Sequence, residues 1–207
     1  MTEDEAKAWI AARGDVPHET LVSIERYIAL LLGENQRQNL IARSTVDRIW
    51  ARHIVDSIQL VDYLRSDTPS GAPVIDLGSG PGLPGLVLAI VRDRAFKLVE
   101  SRKRRCAFLT NATGELGLKN VSVICHDLKT VEPFAVSAII ARAFAPLSDL
   151  IDLARPFSNS ATRWILPRGA KGVKEWQELP RRHKAMFHVE RSITEQQAVI
   201  LVGEGAA

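Results

Sequence analysis

The stretch Val74-Ile75-Asp76-Leu77-Gly78-Ser79-Gly80-Pro81-Gly82-Leu83-Pro84-Gly85 decides the fold. Val74 to Leu77 is a short apolar run broken by a single carboxylate, which has the length and character of a buried strand. Glycines at 78, 80, 82 and 85 follow at once. They permit positive φ and leave no side chain where a ligand approaches the backbone. The apolar residues from Leu83 to Val91 then predict a helix, with Pro84 suited to its first turn. Strand, glycine loop and helix in this order open a doubly wound sheet, whose ligands bind beyond the carboxyl ends of the strands.

The pattern continues downstream. Strands are expected at Phe96–Glu100, Val121–Cys125, Val136–Ala141 and Arg163–Leu166, with helices from Ser101 to about Leu116, from Pro146 to Ala154 and near Val173 to Leu179. Two closing strands, about Ala185 to Arg191 and Ala198 to Val202, should pair antiparallel at one edge. The expected fold class is therefore α/β, a Rossmann-like and mostly parallel sheet with an antiparallel edge.

Upstream the chain reads as helical. Thr2 and Glu5 have capping-box spacing for a helix running to about Arg13. Leu21, Ile24, Ile28 and Leu31 repeat at helical spacing, and a third helix from Ser44 presents Val46, Trp50, Ile54, Ile58 and Val61. Ser66 to Gly71 reads as a linker. The expected division is an N-terminal helical extension over 1–65 and a ligand-binding domain over 72–207.

Composition narrows the class. The 207 residues are 46% hydrophobic and 25% charged, ordinary for one globular domain, and a monomer is the expectation. The acidic N-terminus carries no apolar leader, and no apolar run reaches the ~20 residues of a membrane helix. A cytoplasmic protein without membrane contact is expected. Cys106 and Cys125 lack metal-site spacing and read as separate core thiols, with neither disulfide nor zinc implied. A net charge of +3 permits an anionic partner without demanding one.

The loop alone fits two cofactors. Gly80 to Gly85 matches the dinucleotide pattern G-x-G-x-x-G, which is weak evidence by itself. Asp76 would oppose a pyrophosphate and favour a cation. S-adenosylmethionine fits, since it carries a sulfonium and an ammonium and no phosphate, and Asp76-x-Gly78-x-Gly80-x-Gly82 is the register its sites usually show. Glu100 ends the second strand, where a carboxylate accepts ribose hydroxyls of either cofactor. Leu128 and Lys129 follow the third strand with Asp127, where loops of such sheets often contact adenine and where a plain surface turn is the alternative. Arg142 leaves a buried strand among alanines, beside the expected cleft. The bland alternatives are a bare glycine-rich turn and a solvated charge at Glu100.

Basic residues point to the substrate. Arg102, Lys103, Arg104 and Arg105 occupy the first turn of a helix, where cations oppose the helix dipole unless an anion compensates. Arg168, Lys171, Lys174 and the run Arg181-Arg182-His183-Lys184 add to this charge, and together they favour a nucleic-acid partner. Arg52 and Asp56 are four apart and are expected to pair on the helix surface. His53 shares a face with Ser57; taken alone, it reads as structural.

Taken together, Arg52-His53-Ile54-x-Asp56-Ser57, the segment Asp76 to Gly85, and Arg142-Ala143-Phe144-Ala145 resemble the RsmG (GidB) family over most of the chain. The resemblance implies a class I methyltransferase sheet and methylation of a 16S ribosomal RNA guanine at N7, guanine 527 in the decoding-region hairpin, on naked RNA or on the 30S subunit and its precursors. It carries cofactor contacts to Gly78, Leu83, Leu128, Lys129 and Arg142, with Asp76, Gly80 and Glu100 completing the cradle. Arg52, His53, Arg102, Lys103, Arg104, Arg168 and Lys171 become the candidate RNA contacts. Leu166-Pro167-Arg168-Gly169 departs from the Leu-Lys-Gly of many relatives. N7 is a lone-pair acceptor with no proton to lose, so no general base is expected, and Arg142 would act by positioning. Because N7 lies deep in the A-form major groove, the base should be unpaired or extruded. A nicotinamide-dependent oxidoreductase and a non-catalytic RNA-binding module are the alternatives. Neither a hydride-transfer partner nor a convincing nucleophile–base pair follows the loop.

Overall fold

The computed structural model describes residues 1–64 and 71–207. The expected linker therefore lies, except for Gly71, outside the described residues. The strands β1 (Val74–Leu77), β2 (Phe96–Val99), β3 (Val121–Ile124), β4 (Ala138–Ile140), β5 (Arg163–Arg168), β6 (Phe187–Arg191) and β7 (Val199–Glu204) form one sheet in the order β3-β2-β1-β4-β5-β7-β6. β1 pairs in parallel with β2 and β4, which puts Asp76 opposite Leu98 on one side and Ile140 on the other. β7 runs antiparallel to both β5 and β6, the expected edge. Strand order reverses direction between β1 and β4, so Gly78 and Arg142 emerge at the crevice where such sheets bind ligands.

Alternation along the strands sorts the core into two layers. Val74, Ala138, Ile140 and Ile165 face one layer, and Ile75, Leu77, Ile139, Trp164 and Leu166 the other. The first layer is shared with the N-terminal helices α1 (Glu3–Ala11) and α2 (His18–Asn35) through Ile10, Ile24, Tyr27 and Leu31. The capping box of Thr2 and Glu5 is formed as the sequence predicts. Tyr27 is fully buried and donates its hydroxyl to the carbonyl of Pro81 at 2.9 Å, which fastens α2 to the glycine loop.

The third helical segment differs from a regular α-helix. It runs as a 3-10 stretch Arg43–Arg48, a π-helical stretch Trp50–Val55, a short α turn Asp56–Ile58 and a 3-10 stretch Gln59–Tyr63. Glu3 accepts the amides of Trp50 (3.1 Å) and Ala51 (2.9 Å), so α1 satisfies the donors exposed at the start of the π stretch. The helix after the glycine loop begins at Gly85 rather than Leu83, because the amides of Gly82 and Leu83 turn back to the carbonyl of Ser79. The Leu83–Pro84 bond is cis.

The expectation of two separate thiols is overturned. Cys106 and Cys125 are joined in a disulfide, with Cα atoms 5.7 Å apart. The crossover from β2 to β3 brings the start of one helix beside the end of the next strand, a proximity that a 19-residue separation does not reveal.

Candidate active site

The site is built at the carboxyl edge of β1, β2, β3 and β4. Gly78, Gly80 and Gly82 have φ of 67°, 56° and 95°, a conformation that side chains adopt at a cost. Gly85 is required for space: a Cβ there would lie 2.5 Å from Asp76 Oδ2. The amide of Gly85 donates to that same oxygen at 3.1 Å. Asp76 Oδ1 is buried and has no hydrogen-bond partner. Burial pushes this carboxyl up to about 7 from 3.8, an instability that a cation placed against it would remove.

Glu100 is also buried and ties the loop together. Its Oε2 accepts the amide of Gly80 at 3.0 Å, and its Oε1 accepts the amide of Arg102 at 2.8 Å. A carboxylate has about four lone-pair sites, so capacity for ribose hydroxyls remains. Arg102 caps the helix Lys103–Glu115, and Arg105 lies 3.7 Å from Glu100. Glu100 is thus an internal anion for a helix end loaded with cations. Arg102, Lys103 and Arg104 are exposed, and Arg104 donates to the carbonyl of Arg37 at 3.1 Å at the end of α2. Beyond β3, Asp127 accepts the amide of Lys129 at 3.0 Å and shapes the turn that buries Leu128 and exposes Lys129.

Beyond β4 the chain is strained. Ala143 has φ of 51°, which costs about 1–2 kcal/mol for a residue with a Cβ. The turn sets the Phe144 ring against Gly78, where a Cβ would meet its Cδ2 at 2.4 Å. Arg142 Nη1 donates to Asp56 Oδ2 at 3.2 Å and approaches the carbonyl of Arg52 at 3.5 Å. The expected Arg52–Asp56 pair is corrected accordingly: Asp56 is taken by Arg142, Thr194 and Gln59, and Arg52 pairs with Glu195 at 2.7 Å.

His53 is buried, with Nε2 2.8 Å from the hydroxyl of Thr45 and Nδ1 unpartnered. Burial first, then the charges of Arg142 and Arg52, hold it neutral down to about 3. Arg168 is buried as well. It donates to Glu175 at 2.5 and 2.9 Å and to the carbonyl of Ala145 at 3.0 Å, so it braces the Arg142–Ala145 turn from behind. Lys171 is exposed on the rim of a cavity of about 470 Å³ that Phe144 and Arg168 also line.

The topology therefore gathers Asp76, Gly78, Gly80, Leu83, Glu100, Leu128, Lys129 and Arg142 along one edge. Sequence reasoning missed Tyr27, whose spacing from Ile24 was a usable signal. It also missed the contact of Phe144 with Gly78, which no local pattern announces.

Comparison with known proteins identifies the family. A model described as rRNA small subunit methyltransferase G, GidB, matches residues 20–200. The chain belongs to this family. Relatives named ribosomal RNA small subunit methyltransferase G include one from Sphingopyxis alaskensis, 50% identical over 98% of this chain and 86% of its own length. Another from Novosphingobium aromaticivorans is 45% identical over 98% of this chain and 88% of its own. Among solved structures, a ribosomal protein L11 methylase from Lactobacillus delbrueckii aligns with TM-score 0.59 at 14% identity, covering 73% of this chain and 77% of that one. A mutant of MtNAS, solved in complex with S-adenosylmethionine, aligns with TM-score 0.57 at 14% identity over 100% of this chain and 85% of that one. At such identity these show a shared fold, that of class I methyltransferases. Membership of the family makes the chain an rRNA methyltransferase and sets aside the oxidoreductase reading. Among the described residues no helix is long and apolar enough to cross a membrane.

Proposed function

We propose that this protein transfers a methyl group from S-adenosylmethionine to N7 of a guanine, guanine 527, in 16S ribosomal RNA. The observation that carries the cofactor assignment is the buried, unpartnered Oδ1 of Asp76 beside a loop of positive-φ glycines. The donor supplies an electrophilic methyl on a sulfonium, open to direct displacement by a lone pair.

The residues of the chain bind and orient. Asp76 receives the ammonium, and relief of its buried charge strengthens that contact. Glu100 accepts ribose hydroxyls while its bonds to Gly80 and Arg102 fix the carboxylate. Leu128 and Lys129 border the adenine. Leu83 and the glycines keep the backbone close to the ligand. Arg142 positions the reacting groups from a side chain held by Asp56. No residue need remove a proton, because N7 carries none.

The RNA approaches over Arg102, Lys103, Arg104, Arg52 and Lys171, with the buried His53 and Arg168 supporting the surface from behind. The chain acts as a cytoplasmic monomer on 16S RNA or on the 30S subunit and its precursors. The helical extension over 1–65 and the catalytic domain over 72–207 work as one body, joined through Tyr27 and Asp56.

Incubating immature 30S particles and naked 16S RNA with tritiated S-adenosylmethionine tests this reading. Label recovered as 7-methylguanosine at one position is expected. Label on another atom or base overturns the assignment, as does the absence of transfer to either substrate.

A further inference from the structure

Between the third helical segment, the ends of β4 and β5 and the turn linking β6 to β7 lies a cavity of about 180 Å³. Its size suits one bicyclic base rather than a stretch of nucleotides. Arg142 is in its wall, two residues from the Phe144 ring that lies on Gly78. The cavity is thus next to the proposed methyl donor and distinct from the glycine cradle.

Most polar groups around it are already committed. Asp56 accepts from Thr194 (2.7 Å), Gln59 (3.0 Å) and Arg142 (3.2 Å). Arg168 is held by Glu175 and Ala145. His53 gives Nε2 to Thr45, and its remaining nitrogen, Nδ1, is unpartnered but buried. The ion pair of Arg52 with Glu195 is different. It forms one contact, 2.7 Å from Nη1 to Oε2, and its side chains remain 33% and 44% exposed. A guanidinium has five N–H donors and a carboxylate about four acceptor sites, so the pair can bind a ligand without breaking.

Its pattern has a matching base. A carboxylate beside a guanidinium offers acceptors followed by donors. The Watson–Crick edge of guanine offers two donors, N2–H and N1–H, followed by the acceptor O6. Adenine presents a single donor, N6–H, beside the acceptor N1, and so leaves one carboxylate oxygen without a partner. Engaging the Watson–Crick edge also leaves N7 free on the other side of the ring. We infer that Glu195 and Arg52 together read the Watson–Crick edge of the target guanine in this cavity, with Glu195 accepting from N1–H and N2–H and Arg52 donating to O6. The inference rests on the proposed guanine-N7 reaction and deepens it.

The test compares single-turnover methyl transfer to substrate RNA carrying guanosine or inosine at the target position. Inosine keeps N7, O6 and N1–H and lacks only the 2-amino group. The wild-type protein should prefer guanosine about 10–100-fold, the worth of one hydrogen bond to a charged group. Glu195→Ala should lose at least that factor on guanosine, since it forfeits both hydrogen bonds, and treat both RNAs within about threefold. Binding of S-adenosylhomocysteine, followed by calorimetry, should be unchanged in this variant and in Arg52→Lys. Retention of the guanosine preference by Glu195→Ala, with the cofactor still bound, overturns the reader alone. Transfer by the wild-type protein to a base other than guanine overturns the proposed function and the reader with it.

Discussion

Arg142 Nη1, at the end of β4, lies 3.2 Å from Oδ2 of Asp56 in the N-terminal helical segment. One bond therefore joins the cofactor edge of the sheet to the extension that precedes it. Both side chains are about four-fifths covered, at 21% and 19% exposure. The pair is shielded more than a surface bridge, which typically contributes under 1 kcal/mol. Asp56→Ala and Arg142→Ala should each destabilise the protein, and a double-mutant cycle by urea denaturation should give a coupling of about 1–2 kcal/mol. Additive losses would mean that the bond contributes nothing.

Gly78 is predicted to be intolerant of any side chain, for two separable reasons. Its φ of 67° penalises a Cβ, and that atom would meet Phe144 Cδ2 at 2.4 Å. Gly78→Ala should cost about 2–3 kcal/mol, combining the conformational term with overpacking. Adding Phe144→Ala should recover the steric part and leave roughly 1–2 kcal/mol of strain. Thermal unfolding of the single and double variants checks this. If Gly78→Ala cost as much in the Phe144→Ala background as in the wild-type protein, the ring would not be what excludes the side chain.

The sheet was legible because each strand is a short apolar run bounded by turn residues, and β1 with its loop is unambiguous in any register. Most residues of the candidate cradle were legible too, since they terminate strands whose order follows from right-handed crossovers. Side-chain partnership was not. Arg52 and Asp56 satisfy the helical spacing rule, yet Arg142 and Glu195, 86 and 143 residues away in sequence from their partners, outcompete the local pair. Arg168 reads as one more basic residue, and only the fold reveals Glu175 locking it inside. The disulfide of Cys106 and Cys125 fails to show for the same reason: tertiary proximity decides it, and neither spacing nor composition encodes that.

Two buried groups give opposing pH dependence. Asp76 keeps its proton up to about pH 7 in the native state, against 3.8 in the unfolded chain. The native state therefore binds more protons between those values, and stability from this group falls as pH rises. His53 stays neutral down to about 3, against 6.5 when unfolded, so its contribution falls as pH drops below 6.5. From about pH 4 to 6.5 the two slopes offset each other, each about 1.4 kcal/mol per pH unit at most. Asp76→Asn should uncover the His53 slope and lose stability on acidification. His53→Gln should uncover the Asp76 slope and lose stability as pH rises towards 7. Urea midpoints across this range decide it; parallel profiles for both variants and the wild-type protein would contradict the assignment.

The basic residues should divide by burial rather than by charge. Arg102 and Lys103 are exposed at the start of a helix, where a phosphate contact would be driven by counterion release. Arg102→Ala or Lys103→Ala should weaken RNA binding uniformly across sequences and lower the slope of log affinity against log salt by about 0.7–1. Arg168 is 9% exposed and bonded to Glu175 and Ala145, so its guanidinium reaches no phosphate. Arg168→Ala should leave the salt slope as it is, and should instead destabilise the protein by about 1–3 kcal/mol, because Glu175 and the Ala145 carbonyl lose their donor. Filter binding at several salt concentrations, alongside denaturation, separates the two classes. A reduced slope for Arg168→Ala would require that the brace open when RNA binds, and would return this arginine to the RNA-contacting surface.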